Sequence, residues 1–281
     1  MSKIKIFYPS DAKIHMDALE SFNVPLNVPM IDLNEGYSSC EICVTFGVPK
    51  KVGHRGELVK KIFDAHDGRH IILEVGFMGY FETDNPDKYY NVGWNGIGGY
   101  GDYKNAHSPP DRWNDINSKF FNGFQKFSGG DKILFCGQMP SDANVQHIDY
   151  IKWCENTVDF LKDFGDVVFR PHPGYPDMFK LPNVVYSTTK SLSEDLVGSK
   201  VCITYNSMSG LYAIMEGVPV FAFDRYSPVW DVSEHMLSNI MNPYIPSMDE
   251  KIRWACDTAY TQWTLGEMRE GLPHKHLGVF K

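Results

Sequence analysis

The sequence has no apolar run of the roughly 18 or more residues needed to cross a bilayer, and it has no secretory leader. It has no excess of positive charge either. Its 27 Lys and Arg against 35 Asp and Glu leave a net charge of -8, which argues against a protein held on nucleic acid by bulk electrostatics. Cysteine is sparse, with six residues scattered along 281. The lone Cys40-x-x-Cys43 has no second ligand pair at zinc spacing, and it leads into a strand instead of following one, so core or surface thiols are expected. The glycine-rich run Gly93–Gly101 lacks the Gly-Lys-Ser/Thr ending and the strand-turn-helix context of a phosphate loop. No Asp-x-Asp stands at a strand end, so no metal and no tightly bound cofactor is expected. Internal repeats and low-complexity tracts are absent. These absences predict a cytoplasmic chain with reduced thiols and no membrane span.

What is present is ordinary globular composition, 43% hydrophobic and 22% charged, with 14% aromatic residues and 24 glycines that suggest ring-lined loops around a ligand. The pattern alternates β and α. Strands are predicted at 3–8, 42–46 and 71–75, with a helix from an Asp11 cap to about Phe22 and another over 56–66. Residues 77–113, dense in Gly, Asn, Tyr and Pro, break the pattern and predict a long functional loop overhanging a cleft. Its Trp94, Tyr100, Tyr103 and Trp113 either stack on a sugar or base or pack the loop on its own domain.

After the polar stretch Ser128-Gly129-Gly130-Asp131 a second series begins. Strands are predicted at 132–136, 167–169, 184–186, 201–204 and 218–222, with helices at 148–164, 193–196, 211–216 and 249–260. Two successive α/β halves predict two Rossmann-like, doubly wound domains facing a cleft, over residues 1–130 and 131–281.

Two segments of the second half carry chemistry. The strand ending Val167-Val168-Phe169 runs into Arg170-Pro171-His172-Pro173. There two prolines fix φ and deny the imidazole a helical backbone, so His172 projects from a strand's carboxyl end, where ligands sit in open α/β sheets. The strand 200–204 leads into Asn206, Ser207 and Ser209 and then a helix whose amino end can hold a phosphate. Together they read as a nucleotide-sugar site.

The ordered set Ile133-Leu134-Phe135-Cys136-Gly137-Gln138-Met139-Pro140-Ser141-Asp142-Ala143-Asn144, then Arg-Pro-His-Pro, then Asn-Ser-Met-Ser-Gly-Leu with Glu216-Gly217-Val218-Pro219-Val220, resembles the capsule polysaccharide biosynthesis glycosyltransferases. These are the Kdo transferases of capsule export systems. The resemblance covers residues 71–225, most firmly 132–222. It implies a glycosyltransferase B type fold and a CMP- or UDP-linked sugar donor. Upstream, Leu73-Glu74-Val75-Gly76-Phe77 is similar to the family's Glu-Asp-Gly-Phe segment, with Val75 where an acidic residue is usual, and Ser209 stands at the family's helix-starting small residue.

The resemblance implies that His172 bonds a donor phosphate or acts on the leaving group, with a turn-capping histidine as the alternative. Arg170 offers a planar fork for phosphate, or pairs with a carboxylate on a neighbouring strand. Asn206, Ser207 and Ser209 suit a phosphate nest or an ordinary helix cap. Glu216 suits the nucleotide ribose, and Gln138 and Asp142 suit the donor or the acceptor; each is otherwise an exposed helix end or turn. Glu74 is placed to deprotonate an acceptor hydroxyl, with Asp102 and Asp11 as competitors. The acceptor is a glycan or, alternatively, duplex DNA with hydroxymethylated bases, held by Lys50, Lys51, His54, Arg55, Lys60 and Lys61. A non-catalytic nucleotide-sugar binder is the third reading.

Overall fold

The computed structural model describes residues 3–50, 53–80, 87–177 and 179–280, so Lys51 lies outside the described residues. The chain forms two compact units: Met1–Phe120 together with Cys256–Lys281, and Phe121–Ala255. This division differs from a boundary at 130/131, because the last residues return to the first unit.

In the first unit the chain runs β1 (Ile4–Tyr8), α1 (Lys13–Asn23), β2 (Met30–Asp32), β3 (Ile42–Phe46), α2 (His54–Ala65), β4 (Arg69–Val75), β5 (Tyr89–Trp94) and α3 (Asp111–Phe120). The sheet pairs β1 with β2 and β3, and β3 with β4, all parallel, while β5 is antiparallel to β4. Alternation of side chains explains why both faces are covered. Ile4, Ile6, Val44, Ile71 and Leu73 pack with Ala18, Leu19 and Phe22 of α1. Phe7 and Cys43 point the other way, against Val59 and Ile62 of α2.

The segment 77–113 is therefore not one long loop. Tyr89–Trp94 is a strand with every residue buried, and Trp94, Tyr103 and Trp113 are buried too, which is the packing alternative for these rings. Only Tyr100 of the four is exposed.

The second unit runs β6 (Lys132–Cys136), α4 (Tyr150–Leu161), β7 (Val167–Arg170), β8 (Val185–Tyr186), α5 (Leu192–Leu196), β9 (Ser199–Thr204), α6 (Ser209–Met215) and β10 (Val220–Ala222). Its sheet is wholly parallel, in the order β10-β9-β6-β7-β8. Continuous apolar runs such as Val201-Cys202-Ile203, all fully buried, are what a parallel strand covered on both faces requires. In α4, Tyr150, Cys154, Thr157, Val158 and Leu161 form the buried stripe at helical spacing, and the Asp149 carboxylate caps the helix by accepting from Lys152 N–H.

Helix α7 (Met248–Ala259) then leads back to β11 (Gln262–Thr264), α8 (Leu265–Arg269) and α9 (Leu272–Leu277). β11 pairs antiparallel with β5 and covers what would be an open edge. Three further bonds fasten this tail to the first unit: Trp94 Nε1 donates to Leu277 O at 3.1 Å, His274 Nε2 to Phe22 O at 2.9 Å, and His276 Nε2 to Tyr103 O at 2.8 Å. Arg112 of α3 binds the carboxylate of Glu267 and lies over Trp263, 4.0 Å from the ring centroid. Among the described residues no helix is long and apolar enough to cross a membrane.

Candidate functional site

Each sheet has one place where neighbouring parallel strands send their connections in opposite directions: β1/β3 in the first unit and β6/β9 in the second. Outside the carboxyl ends of such a pair, ligands bind in doubly wound folds. In the second unit the loops after β9, β6 and β7 lie side by side there, bringing Asn206 to Ser209, Gln138 and His172 to one edge. Adjacent strands are about 4.8 Å apart, so the outer two of these loops are about 10 Å apart at their roots.

At the switch point Gln138 and Asn206 engage each other. Gln138 Nε2 donates to Asn206 Oδ1 at 2.7 Å, and Gln138 Oε1 accepts Asn206 N–H at 2.8 Å. Asn206 Nδ2 donates to Asn144 O at 2.8 Å, while the Tyr150 hydroxyl accepts Gln138 N–H at 2.9 Å. Both side chains are buried. Their amides shape the two loops.

The turn into α6 is also closed internally. Thr204 Oγ1 accepts Ser207 N–H at 3.0 Å, Ser207 Oγ accepts Ser209 N–H at 3.2 Å, and Ser207 O accepts Gly210 N–H at 3.1 Å. The residue before α6, Met208, offers no capping side chain, and the Ser207 hydroxyl closes the turn one residue earlier. Ser209 Oγ is buried with no hydrogen-bond partner among the described residues.

His172 lies in the turn after β7, where its Nδ1 accepts Gly174 N–H at 3.2 Å. A neutral imidazole that accepts at Nδ1 carries its proton on Nε2, so this turn presents an N–H donor. Gly137 N–H donates to Arg170 O at 2.8 Å and holds the loop after β6 against the His172 turn.

Arg170 pairs with a carboxylate, but one carried by helix α5 and not by a neighbouring strand. Its Nη1 pairs with Asp195 Oδ2 at 2.6 Å and donates to Thr189 Oγ1 at 3.1 Å; Ser187 Oγ donates to the same carboxylate at 2.6 Å. With Arg170 16% and Asp195 3% exposed, this is an inward ion pair, and the fork is already occupied.

Glu216 caps the far end of α6, exposed, one residue before Gly217 at φ +77, where a Cβ would meet Gln125 O at 2.5 Å. A seven-residue helix is about 10 Å long, and α6 runs away from the carboxyl edge, so Glu216 stands at the opposite edge from Asn206. Asp142 lies in the turn after β6, with its N–H on Met139 O at 3.1 Å and its carbonyl accepting Val145 N–H at 3.1 Å.

One group at this edge has no sequence signal. His147 Nε2 lies 3.3 Å from Asp224 Oδ2 and 3.1 Å from the Tyr205 hydroxyl. Asp224 follows β10 and Tyr205 follows β9, and both are buried while His147 is half exposed. The three are far apart in the chain, and only the strand order brings them together.

In the first unit Glu74 is the penultimate residue of β4, and its Oε2 stands 3.6 Å from where a Cβ on Gly47, just past β3, would be. Asp102 is elsewhere. It bridges to Trp94, which pairs with Ile71 near the amino end of β4, and it is ion-paired to Lys104 at 2.5 Å. Burial pushes its carboxyl up, but the Lys104 bonds outweigh this and hold it below the ordinary carboxylate range. Asp11 does not cap α1; it pairs with Arg55 at 3.1 Å. Lys60 is likewise paired, with Asp64 at 2.5 Å. Among the described residues no three His, Cys, Asp or Glu side chains are grouped to hold a metal ion.

No family model matches the sequence, and no curated protein matches it. Among solved structures, the chain is similar to the β-Kdo 2,7 transferase of Thermosulfurimonas dismutans KpsC, with a TM-score of 0.57 and 14% identity over 99% of this chain and 100% of that one. It is similar in the same degree to the β-Kdo 2,4 transferase of that protein, with a TM-score of 0.57 and 12% identity over 96% of this chain and 97% of that one. At such identities the likeness is one of architecture, and it coincides with the resemblance carried by the short motifs: this chain has two Rossmann-like domains and a fold of the glycosyltransferase B type, as in the KpsC Kdo transferases.

Proposed function

We propose that this protein is a glycosyltransferase that moves a sugar from a CMP- or UDP-linked donor to a hydroxyl of a glycan acceptor. The observation that carries the reading is the convergence of His172, the Ser207–Ser209 turn and the Gln138–Asn206 clamp at the switch point of a wholly parallel sheet.

In this reading residues 121–255 hold the donor. His172 donates from Nε2 to the leaving phosphate. The Ser207 hydroxyl completes the cradle, and Asp142 lies beside it. The charge that forms as the sugar departs is met by donors fixed in advance, which lowers the barrier without reorganisation. With Arg170 turned inward, His147, whose Nε2 lies 3.3 Å from Asp224 Oδ2, is a further polar group at this edge. Gln138 and Asn206 are positioning residues. Glu74 of the first unit, on the acceptor side, takes the acceptor proton as general base. Asp102 and Glu216, at the far edges of their sheets, have no part. Nucleotide-sugar chemistry and six free thiols fit a cytoplasmic protein.

The test is a thermal-shift panel of CMP-, UDP-, GDP- and dTDP-linked sugars, since a ligand that binds only the folded state raises the melting point. A CMP- or UDP-sugar is expected to raise it, with the effect weakened in His172→Ala. No response to any member would overturn the donor site. Binding without transfer to any glycan would reduce the protein to a nucleotide-sugar binder.

A further inference from the structure

The two histidines at the carboxyl edge of the second sheet are prepared in opposite ways. His172, after β7, accepts Gly174 N–H at Nδ1, which leaves the proton on Nε2 and makes the ring a donor. His147, in the loop after β6, has Nε2 as its engaged nitrogen: Asp224 Oδ2 lies 3.3 Å away and the Tyr205 hydroxyl 3.1 Å away. A carboxylate has no proton to give. A bare Nε2 beside it would set one lone pair against another, so in the neutral ring the proton sits on Nε2 and Nδ1 is left as an acceptor. Among the described residues Nδ1 has no hydrogen-bond partner.

The ring is held from behind. Asp224 is 7% exposed, its Oδ1 accepts Tyr226 N–H at 2.7 Å and its carbonyl accepts Ser227 N–H at 3.0 Å, so the carboxylate is pinned in place. The buried Tyr205 ring stands 5.9 Å from the imidazole, centroid to centroid, and packs in turn on Trp153 at 4.9 Å. His147 is 45% exposed, so of this pair it is the imidazole that solvent and ligands reach.

Position adds to the chemistry. In the order β10-β9-β6-β7-β8, Asp224, Tyr205 and His147 come from the ends of β10, β9 and β6, whereas His172 comes from β7. Tyr205 directly precedes Asn206, so the pair borders the same turn that leads into α6. An anion gains nothing there, because a bare nitrogen with a carboxylate behind it disfavours phosphate and carboxylate alike. The group it takes is a neutral O–H. In a nucleotide-sugar the hydroxyls nearest the phosphate belong to the ribose on one side and to the transferred sugar on the other.

We propose that His147 binds a hydroxyl of the nucleotide-sugar through Nδ1, with Asp224 as the positioning residue that keeps the proton on Nε2. This rests on the donor-site reading of residues 121–255 and adds to it: His172 meets the charge, and His147 selects the hydroxyl beside it.

The experiment has two parts, both on the full chain above neutral pH. The imidazole 15N shifts report where the proton is: wild-type His147 is expected to show a protonated Nε2 and a bare Nδ1, and Asp224→Asn to lose that single form. Calorimetric titration then compares wild type, His147→Ala and Asp224→Asn with CMP, UDP, their 2′- and 3′-deoxy forms, and the CMP- and UDP-linked sugars. Both variants are expected to weaken binding of the sugar-linked ligands about fivefold, the loss of one neutral hydrogen bond of about 1 kcal/mol. If the hydroxyl is on the ribose, wild type binds one deoxy form correspondingly less tightly and His147→Ala binds that form as wild type does. If it is on the transferred sugar, the free nucleotides bind all three proteins alike. Equal weakening of every ligand, deoxy forms included, unchanged binding throughout, or a proton on Nδ1 in wild type would overturn the proposal. Should Asp224→Asn fail to fold, the wild-type shifts and His147→Ala still decide it. Failure of wild type to bind any of these ligands would instead sink the donor reading on which the proposal rests.

Discussion

Gln138 and Asn206 hold each other by two bonds, 2.7 Å between the side-chain amides and 2.8 Å from Asn206 N–H to Gln138 Oε1, across the switch point of the second sheet. Truncating either one strands buried polar groups of the other. Asn206→Ala is expected to cost about 2 kcal/mol in urea unfolding and to weaken the donor-induced thermal shift, because both loops lose their register. A variant as stable as wild type would show that the clamp has slack.

His172 gives the opposite signature. It sits in an outer turn, where among the described residues its side chain has one hydrogen bond, from Gly174 N–H. His172→Ala should leave stability within about 0.5 kcal/mol and lower transfer about 10²-fold, the usual loss when a donor to developing charge is removed. Transfer at the wild-type rate would withdraw the role assigned to its Nε2.

Arg170 is expected to matter for folding. Removing it leaves Asp195, 3% exposed, as an unpaired buried carboxylate, so Arg170→Ala should cost about 3 kcal/mol. The double variant Arg170→Met/Asp195→Leu should recover most of that, since it removes both charges. Urea unfolding of the three proteins checks this. A mild Arg170→Ala that instead abolished the donor response would return the residue to the phosphate.

Acid should destabilise the first unit in a defined window. Burial pushes His70 and His274 from 6.5 down to about 4, and their Nδ1 atoms are buried without partners among the described residues. Unfolded, each ring accepts a proton near its ordinary value, so as pH falls from about 6.5 to about 4 the unfolded chain takes up protons that the folded chain refuses. Stability is therefore lost through that window and levels off below it. The melting point followed from pH 7 to 4 should fall faster in wild type than in His274→Gln, which keeps an amide donor for Phe22 O.

Most of the architecture was legible. β1, β3, β4, β6, β7 and β9 are apolar runs bounded by turn residues, and their order gives doubly wound sheets. β5 was not, because Asn91 and Gly93 dilute its pattern, although all its residues are buried. β11 was missed for a similar reason: Gln262 is polar, yet it is wholly buried and accepts Phe77 N–H at 2.9 Å and Met78 N–H at 3.0 Å. The strand endings that carry the site were legible as well. What a polar side chain does there was not, because its partner lies far along the chain. Gln138 and Asn206 are 68 residues apart, Arg170 and Asp195 25, and no local pattern reveals that such groups are already satisfied.

The return of the chain to its first sheet sets an order of assembly on the ribosome. Residues 121–255 are one uninterrupted stretch, whereas the neighbour that closes β5 is made only at Gln262–Thr264. Domains ordinarily mature in the order of their synthesis. Here the later-made unit is complete in sequence while β5 of the earlier one still waits for its neighbour.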